Sequence, residues 1–316
     1  GRPVSYSGLH IWALMGLIQG CGFGPLACAL CLAKIFQDFH TKLKEADPSA
    51  MSVALMDDFT ACADEEIAIR ATESFQLEGP QYGAELNIPK TIIVSLDPNA
   101  TKAPITLKGS KRVHLADGTD VGSKRESDGT RLLGSPIGTK DFCEKFILDR
   151  FKTKYEALFP ALEKIENPQA IWRMIQSINI QSGLVHILRT TPTKLIQSVF
   201  PEIDSSIRTF LGNSIFGCRL TDLEWEMVQL PYDLGGWNIV PLDVLSPCAY
   251  LASLLSNQKE ILRLRPEAKE RYALEIEVTV ALLKQNFPNA KLPELKETTK
   301  QRELMRACMD EKCAQL

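Results

Sequence analysis

Leu26, Ala29, Leu30, Ala33, Phe36 and Phe39 recur at three- and four-residue intervals, with Lys34, Gln37 and Asp38 between them. That spacing puts the apolar side chains on one face of a helix from Pro25 to Lys44. Two short apolar runs follow, Val53-Ala54-Leu55-Met56 and Phe59-Thr60-Ala61-Cys62, on either side of Asp57-Asp58; strands of this length meeting at a tight turn predict a hairpin. A second helix is expected from about Asp64 to Leu77, with Asp64 as its cap and Glu65 and Glu66 favourable in the first turn, ended by Gly79-Pro80. Leu86 to Leu96 reads as a strand carrying Ile92, Ile93 and Val94, residues 98–130 as a turn-rich insertion, and Leu132 to Gly138 as a short closing hairpin.

From Asp141 onward the period-two pattern is lost. Phe142, Phe146, Ile147 and Phe151 share a helical face, and Asn167-Pro168 supplies a cap followed by proline at the first helical position. Helical segments are predicted near residues 168–187, 192–211 and 242–265. The tail from Ile261 to Leu316 alternates charged and apolar residues, with Leu304, Met305, Cys308, Met309 and Leu316 able to line one face. The fold class is therefore α+β: helices with an antiparallel sheet over residues 1–140, an all-α region over 141–260 and a C-terminal helical extension over 261–316.

A chain of 316 residues with 45% apolar content can bury one or two substantial cores. The longest apolar stretch, Ile11 to Ile18, is too short for a bilayer span, and no signal peptide is visible. Nine cysteines, with Cys28, Cys31, Cys62 and Cys248 in apolar surroundings, fit buried free thiols in a reducing compartment. The expected location is thus intracellular, nuclear or cytoplasmic, without secretion or a membrane partner, and Asn99-Ala100-Thr101 is not expected to be glycosylated. Charge is unevenly placed: residues 51–100 hold nine acidic and two basic side chains, residues 101–131 four and seven, and residues 151–316 twenty of each. The first segment suits bound cations, and the second is either a solvated loop or a contact for a phosphate backbone.

Adjacent carboxylates at the end of a hairpin can aim their oxygens at one spot, where Mg²⁺ would relieve their repulsion, although Asp is also an ordinary turn former. The flanking segments separate these readings. Upstream lies Gly16-Leu17-Ile18-Gln19-Gly20-Cys21-Gly22-Phe23-Gly24-Pro25-Leu26. Downstream come Gly83-Ala84-Glu85-Leu86-Asn87-Ile88-Pro89-Lys90-Thr91 and Leu132-Leu133-Gly134-Ser135-Pro136-Ile137-Gly138. In this order they resemble the reverse transcriptases: a G-x-x-Q-G loop entering a helix, an Asp-Asp hairpin, a G-x-x-L-N-x-x-K segment and an L-G-x-P/x-G hairpin. The likeness is to the non-LTR retrotransposon type and runs from about residue 10 to 255, through Leu188-Arg189-Thr190, Leu230-Pro231 and Leu234-Gly235-Gly236-Trp237.

The resemblance implies a partial polymerase palm followed by a helical thumb, acting on an RNA template with a DNA primer and on deoxynucleoside triphosphates. The primer 3′-hydroxyl would attack the α-phosphate, with two Mg²⁺ ions, or Mn²⁺ in their place, sharing the electrostatic work. By motif position Asp57 and Asp58 would be the catalytic, metal-binding pair. Gln19 and Gly20 would pack against nucleotide and template, Lys90 would lie near the triphosphate, and Gly134, Ser135, Pro136 and Gly138 would hold the primer end. Leu55 stands where the family has an aromatic residue, and Cys21, Gly22 and Phe23 where Asp, Pro and Leu are common.

The family's further metal-binding Asp, tens of residues before the Gln-Gly loop, has no counterpart in the 18 residues preceding Gln19. The chain by itself is accordingly expected to need an upstream fingers and palm segment for synthesis. The alternative is a degenerate palm and thumb that binds nucleic acid without catalysis. Other constellations are weaker. Gly20-x-Gly22-x-Gly24 has its third glycine one residue early for a dinucleotide fold. Cys28-x-x-Cys31 lacks a second ligand pair, and His10, His40, His114 and His186 are scattered without a nucleophile motif.

Overall fold

The computed structural model describes residues 2–6, 9–13, 23–55, 58–95, 111–114, 129–178 and 180–316. The chain divides into two compact units, Gly1–His114 and Leu115–Leu316.

In the first unit, β1 (Arg2–Tyr6) pairs antiparallel with β2 (Leu9–Ala13). The long helix α1 (Gly24–Ala46) has a proline in its first turn, where a missing N–H costs nothing. β3 (Met51–Leu55) and β4 (Asp58–Cys62) form a hairpin where one is expected, but Asp58 pairs with Leu55 as the first residue of β4 instead of lying between the strands. Helix α2 (Glu65–Glu78) begins where predicted, and the Asp64 carboxylate accepts the Glu66 N–H at 3.1 Å. A small core of Phe39, Leu43, Ala50 and Ala71, flanked by Phe59, Ile67 and Phe75, joins both helices to the hairpin. Phe36 stacks on Phe59 at 5.0 Å, and Phe39 meets the same ring edge-on at 4.5 Å. Lys42 links α1 to α2 through Ser74 at 2.8 Å and Glu78 at 2.6 Å.

Two expectations for this unit are corrected. Leu86 to Leu96 is not one strand. The Asn87 side chain accepts the Lys90 N–H at 3.2 Å and closes a 3₁₀ turn over Ile88–Lys90. Pro89 has no N–H to give a ladder, so β5 starts only at Ile92 and runs Ile92–Ser95. The insertion over 98–130 contains a strand, β6 (Lys111–His114), and this pairs with β5 in parallel, not antiparallel. The described strands thus form four separate two-stranded sheets, three antiparallel and one parallel. Cysteine burial also differs: Cys31 and Cys62 are exposed and Cys28 half-buried, whereas Cys248 is buried.

The second unit opens with the hairpin of β7 (Gly129–Leu132) and β8 (Ser135–Gly138), three residues longer at its start than the sequence pattern indicates. Helices follow: α3 (Lys140–Lys154), the short α4 (Phe159–Leu162), α5 (Pro168–Ile178), α6 (Ile180–Thr190), α7 (Phe200–Leu211), α8 (Asp222–Gln229), α9 (Leu242–Leu264), α10 (Lys269–Asn286) and α11 (Gln301–Gln315). Asn167 caps α5 by accepting the N–H groups of Gln169 at 3.0 Å and Ala170 at 3.2 Å. The helix expected over 192–211 is two 3₁₀ turns before α7 begins at Phe200-Pro201. No helix among the described residues is long and apolar enough to cross a membrane.

One core, running from Cys143 to Met309, fills this unit. Its centre is α9, buried around most of its circumference, and α6, α10 and α11 all pack on it. The tail does not stand apart as an extension, because Leu304, Cys308 and Met309 of α11 join the same core, while Leu316 stays exposed. The buried Glu311 carboxylate accepts Asn289 N–H at 3.1 Å and Gln315 Nε2 at 3.0 Å, and Lys312 donates to Gln229 at 2.7 Å. Such pairing removes the cost of burying polar atoms under the helix.

Gly183 on α6 makes room for Tyr155, whose buried hydroxyl lacks a hydrogen-bond partner among the described residues. A methyl group at 183 would overlap that hydroxyl. Gly183→Ala should therefore cost about 2 kcal/mol or more through forced repacking. Tyr155→Phe should leave stability unchanged or raise it, since it deletes an unpaired polar atom. Urea unfolding of the two variants checks both signs.

Candidate functional site

Of the residues singled out from the sequence, Asp57, Gln19 and Gly20 lie outside the described residues. Asp58 is the first residue of β4. The pleat sends alternate side chains to opposite faces, so Phe59 and Ala61 turn toward the small core while Asp58, Thr60 and Cys62 are exposed. Val53, paired with Thr60, shares the outer face and is 51% exposed. Asp58, at the start of β4, stands on the solvent side. Among the described residues no hydrogen bond or ion pair engages the Asp58 carboxylate, and no group of three or more His, Cys, Asp or Glu side chains is placed to hold a metal ion. Lys90 is also exposed, at the end of the 3₁₀ turn that Asn87 closes.

Gly134, Ser135, Pro136 and Gly138 belong to the second unit, in the β7–β8 hairpin. Leu132 pairs with Ser135, leaving Leu133 and Gly134 as a two-residue turn with φ of +47° and +91°. Positive φ at both positions is the type I′ geometry that matches strand twist. Glycine adopts it freely; for Leu133 it costs about 1–2 kcal/mol, because Cβ crowds the following carbonyl. The Leu133 side chain is 54% exposed, so its own burial does not offset that cost.

Hydrogen bonds from α6 meet the turn. His186 Nε2 lies 2.9 Å from the Leu133 carbonyl oxygen, which only accepts, so this nitrogen carries the proton. The same N–H is 3.2 Å from Ser135 Oγ. Ser135 Oγ lies 2.6 Å from Thr190 Oγ1, and the Thr190 hydroxyl donates to the His186 carbonyl at 2.8 Å. With the threonine proton committed there, Ser135 is the donor to Thr190. Ser135 and Pro136 are themselves buried, so the exposed side chains of this hairpin are those of Arg131, Leu132, Leu133 and Ile137. At the other end Gly129 lies against the Phe142 ring, leaving no room for a Cβ.

A feature that the sequence did not point to lies at the junction of α7, α9, α10 and α11. A cavity of about 270 Å³ is lined by Thr193, Gln197, Asp204, Asp243 and Asn286, among others. A second, of about 480 Å³, shares Asp243 and Asn286 and adds Glu226, Lys312 and Gln315. Asp204 keeps part of its surface open to the cavity but is closely surrounded. That desolvation, then the neighbouring Asp243 charge, pushes its pKa up to about 7 against the pull of the Leu242 N–H and Lys312. Desolvation raises Asp243 as well, with Lys312 acting in the opposite direction. No motif or periodicity joins Asp204 to Asp243; helix packing alone makes them neighbours.

Comparison of the chain with protein-family models, with curated proteins and with solved structures finds no match in any of the three.

The raised Asp204 pKa has a definite consequence for stability. In the unfolded chain the carboxyl loses its proton near the ordinary value of 3.8, whereas in the fold it keeps it to about 7. Unfolding therefore becomes easier as pH rises through that interval, and the penalty is complete above it. Asp204→Asn should remove this slope and stabilise the chain above pH 7 by about 1–2 kcal/mol, a range reduced for the carboxyl's partial exposure. Urea transitions at pH 4, 5.5 and 7.5 for the two proteins measure it.

Proposed function

We propose that the chain is the later palm and the thumb of an RNA-directed DNA polymerase, a reverse transcriptase of the non-LTR retrotransposon type. The observation that carries this reading is the ordered series of segments around Gln19-Gly20, Asp57-Asp58, Asn87 to Lys90 and Leu133 to Gly138. Two hairpins are compatible with it: β3–β4, whose second strand opens at Asp58, and the tight β7–β8 hairpin seated on helices. An α+β composition, with strands early and helices late, is compatible with it.

In this reading Asp57 and Asp58 would hold Mg²⁺, since hard carboxylate oxygens from adjacent aspartates suit a hard cation and Asp58 is solvent-facing and unengaged among the described residues. Bound Mg²⁺ supplies charge stabilisation at the attacking hydroxyl and the departing pyrophosphate. Lys90, exposed on a turn, serves as a mobile donor to the triphosphate, and Gln19 and Gly20 support the nucleotide. The Leu133–Gly134 turn lies at the primer end, with Ser135 and Pro136 acting from beneath it. A second reading, a nucleic-acid-binding relic without synthesis, is favoured by Leu55 standing where polymerases of this type have an aromatic side chain next to the carboxylates.

Primer extension on an RNA template with Mg²⁺ or Mn²⁺ separates the two. Residues 1–316 alone should bind the primer–template without extending it. A longer chain, with an upstream fingers and palm segment bearing the further Asp, should extend it, and Asp57→Asn in that chain should lower extension at least about 100-fold, because an anionic metal ligand is lost while size is kept. Binding without extension by the longer chain supports the relic. Robust synthesis by residues 1–316 alone would overturn the account of which residues complete the metal site.

A further inference from the structure

The Leu133–Gly134 turn is an unusual object to leave on a surface. Its first residue is a leucine in a left-handed conformation, with a side chain that gains little from burial. Strain of this kind persists only where the surroundings fix it. Here the fixing groups come from one helix: His186 donates to the carbonyl of the strained residue at 2.9 Å and reaches the Ser135 hydroxyl at 3.2 Å, and Thr190, one helical turn on, receives Ser135 at 2.6 Å. Gly134 completes the turn, since its φ of +91° is strained for any residue with a side chain. Without these bonds the hairpin would keep its ladder but lose the single orientation of its tip. His186 belongs to none of the motif segments, and Thr190 only ends the tripeptide Leu188-Arg189-Thr190.

We propose that His186, acting through Ser135 and relayed by Thr190, is the positioning residue that holds the Leu133–Gly134 turn in place for the recessed 3′ end of a primer strand. The inference rests on the polymerase reading of this hairpin and adds the groups that aim it. His186 touches no reacting atom; it fixes the turn whose exposed Leu132, Leu133 and Ile137 present an apolar surface to a terminal base pair, while the buried Ser135 hydroxyl serves the scaffold. Apolar side chains stack on any base, so such a surface recognises the end of a duplex by shape, not by sequence.

The test compares two labelled RNA–DNA hybrids of equal length, one with a recessed primer 3′ end and one blunt, bound by the 316-residue chain and measured by fluorescence anisotropy. The wild type should prefer the recessed hybrid. His186→Ala should reduce that preference about tenfold, the scale of one or two lost hydrogen bonds. Thr190→Val, which keeps the volume and removes the hydroxyl, should reduce it in the same direction. His186→Gln should retain it, since the glutamine amide N–H sits near the position of Nε2. The ratio of the two affinities, not either affinity alone, is the readout, so general loosening of the fold does not imitate the result. A wild-type preference that survives both His186→Ala and Thr190→Val overturns the positioning role and leaves the polymerase reading standing. Absence of any preference in the wild type removes the polymerase reading of the hairpin, and this inference with it.

Discussion

Burial of α9 is the constraint on which the larger unit depends. Over Leu242–Leu255 this helix is nearly inaccessible at Leu242, Val244, Leu245, Cys248, Leu251, Ala252 and Leu255, so that stretch has little surface to give to water and neighbours must cover it. Helices α6, α10 and α11 provide that cover. The same demand explains why the few polar atoms beside it are paired: buried Ser246 meets buried Thr193 at 3.0 Å, and the Tyr272 hydroxyl donates to the Leu254 carbonyl at 2.7 Å. At roughly 25 cal/mol per Å² of apolar surface, each fully buried leucine contributes about 1.5–3 kcal/mol, far more than a surface ion pair such as Lys194–Glu275.

That core has a mechanical consequence. Because α6 is fixed along one side by α9, the groups on its outer side are fixed as well, and His186 and Thr190 can hold a strained turn without themselves being deeply buried. A short two-stranded hairpin is marginal alone; seated on α3 at Gly129 and on α6 at its turn, it becomes an outgrowth of the helical core. The first unit works on a smaller scale, with four phenyl rings, Phe36, Phe39, Phe59 and Phe75, in mutual contact where two helices meet one hairpin. In both units a polar or strained position is carried on the outer side of an element whose inner side is packed. Asp58 opposite Phe59 and the tip above buried Ser135 follow the same rule.

Much of the local structure was legible in the sequence, and the reasons are local. The i, i+3, i+4 spacing from Leu26 to Phe39 set α1 to within two residues at its end, Asp64 marked the start of α2 and Asn167-Pro168 that of α5, because periodicity and capping involve only near neighbours. The carboxylate hairpin was legible from two apolar runs around Asp57-Asp58, although the alternation that turns Asp58 outward needed the register of the pair. The strand over Leu86 to Leu96 failed where a side chain competed with the ladder: Asn87 closed a turn, and Pro89 withheld a donor.

What the chain alone determined is therefore the order of its elements, the faces they would bury and the series of motif segments that carries the functional reading. The tertiary structure decided whatever depends on residues far apart in sequence. It paired β5 with β6 in parallel and took the tail helix α11 into the main core. It also brought His186 to the carbonyl of Leu133 and set Asp204 beside Asp243 across a cavity. The physical reason is the same in each case. Helical and strand periods fix directions within an element, but which outward direction meets which partner is settled only when several elements exclude water together.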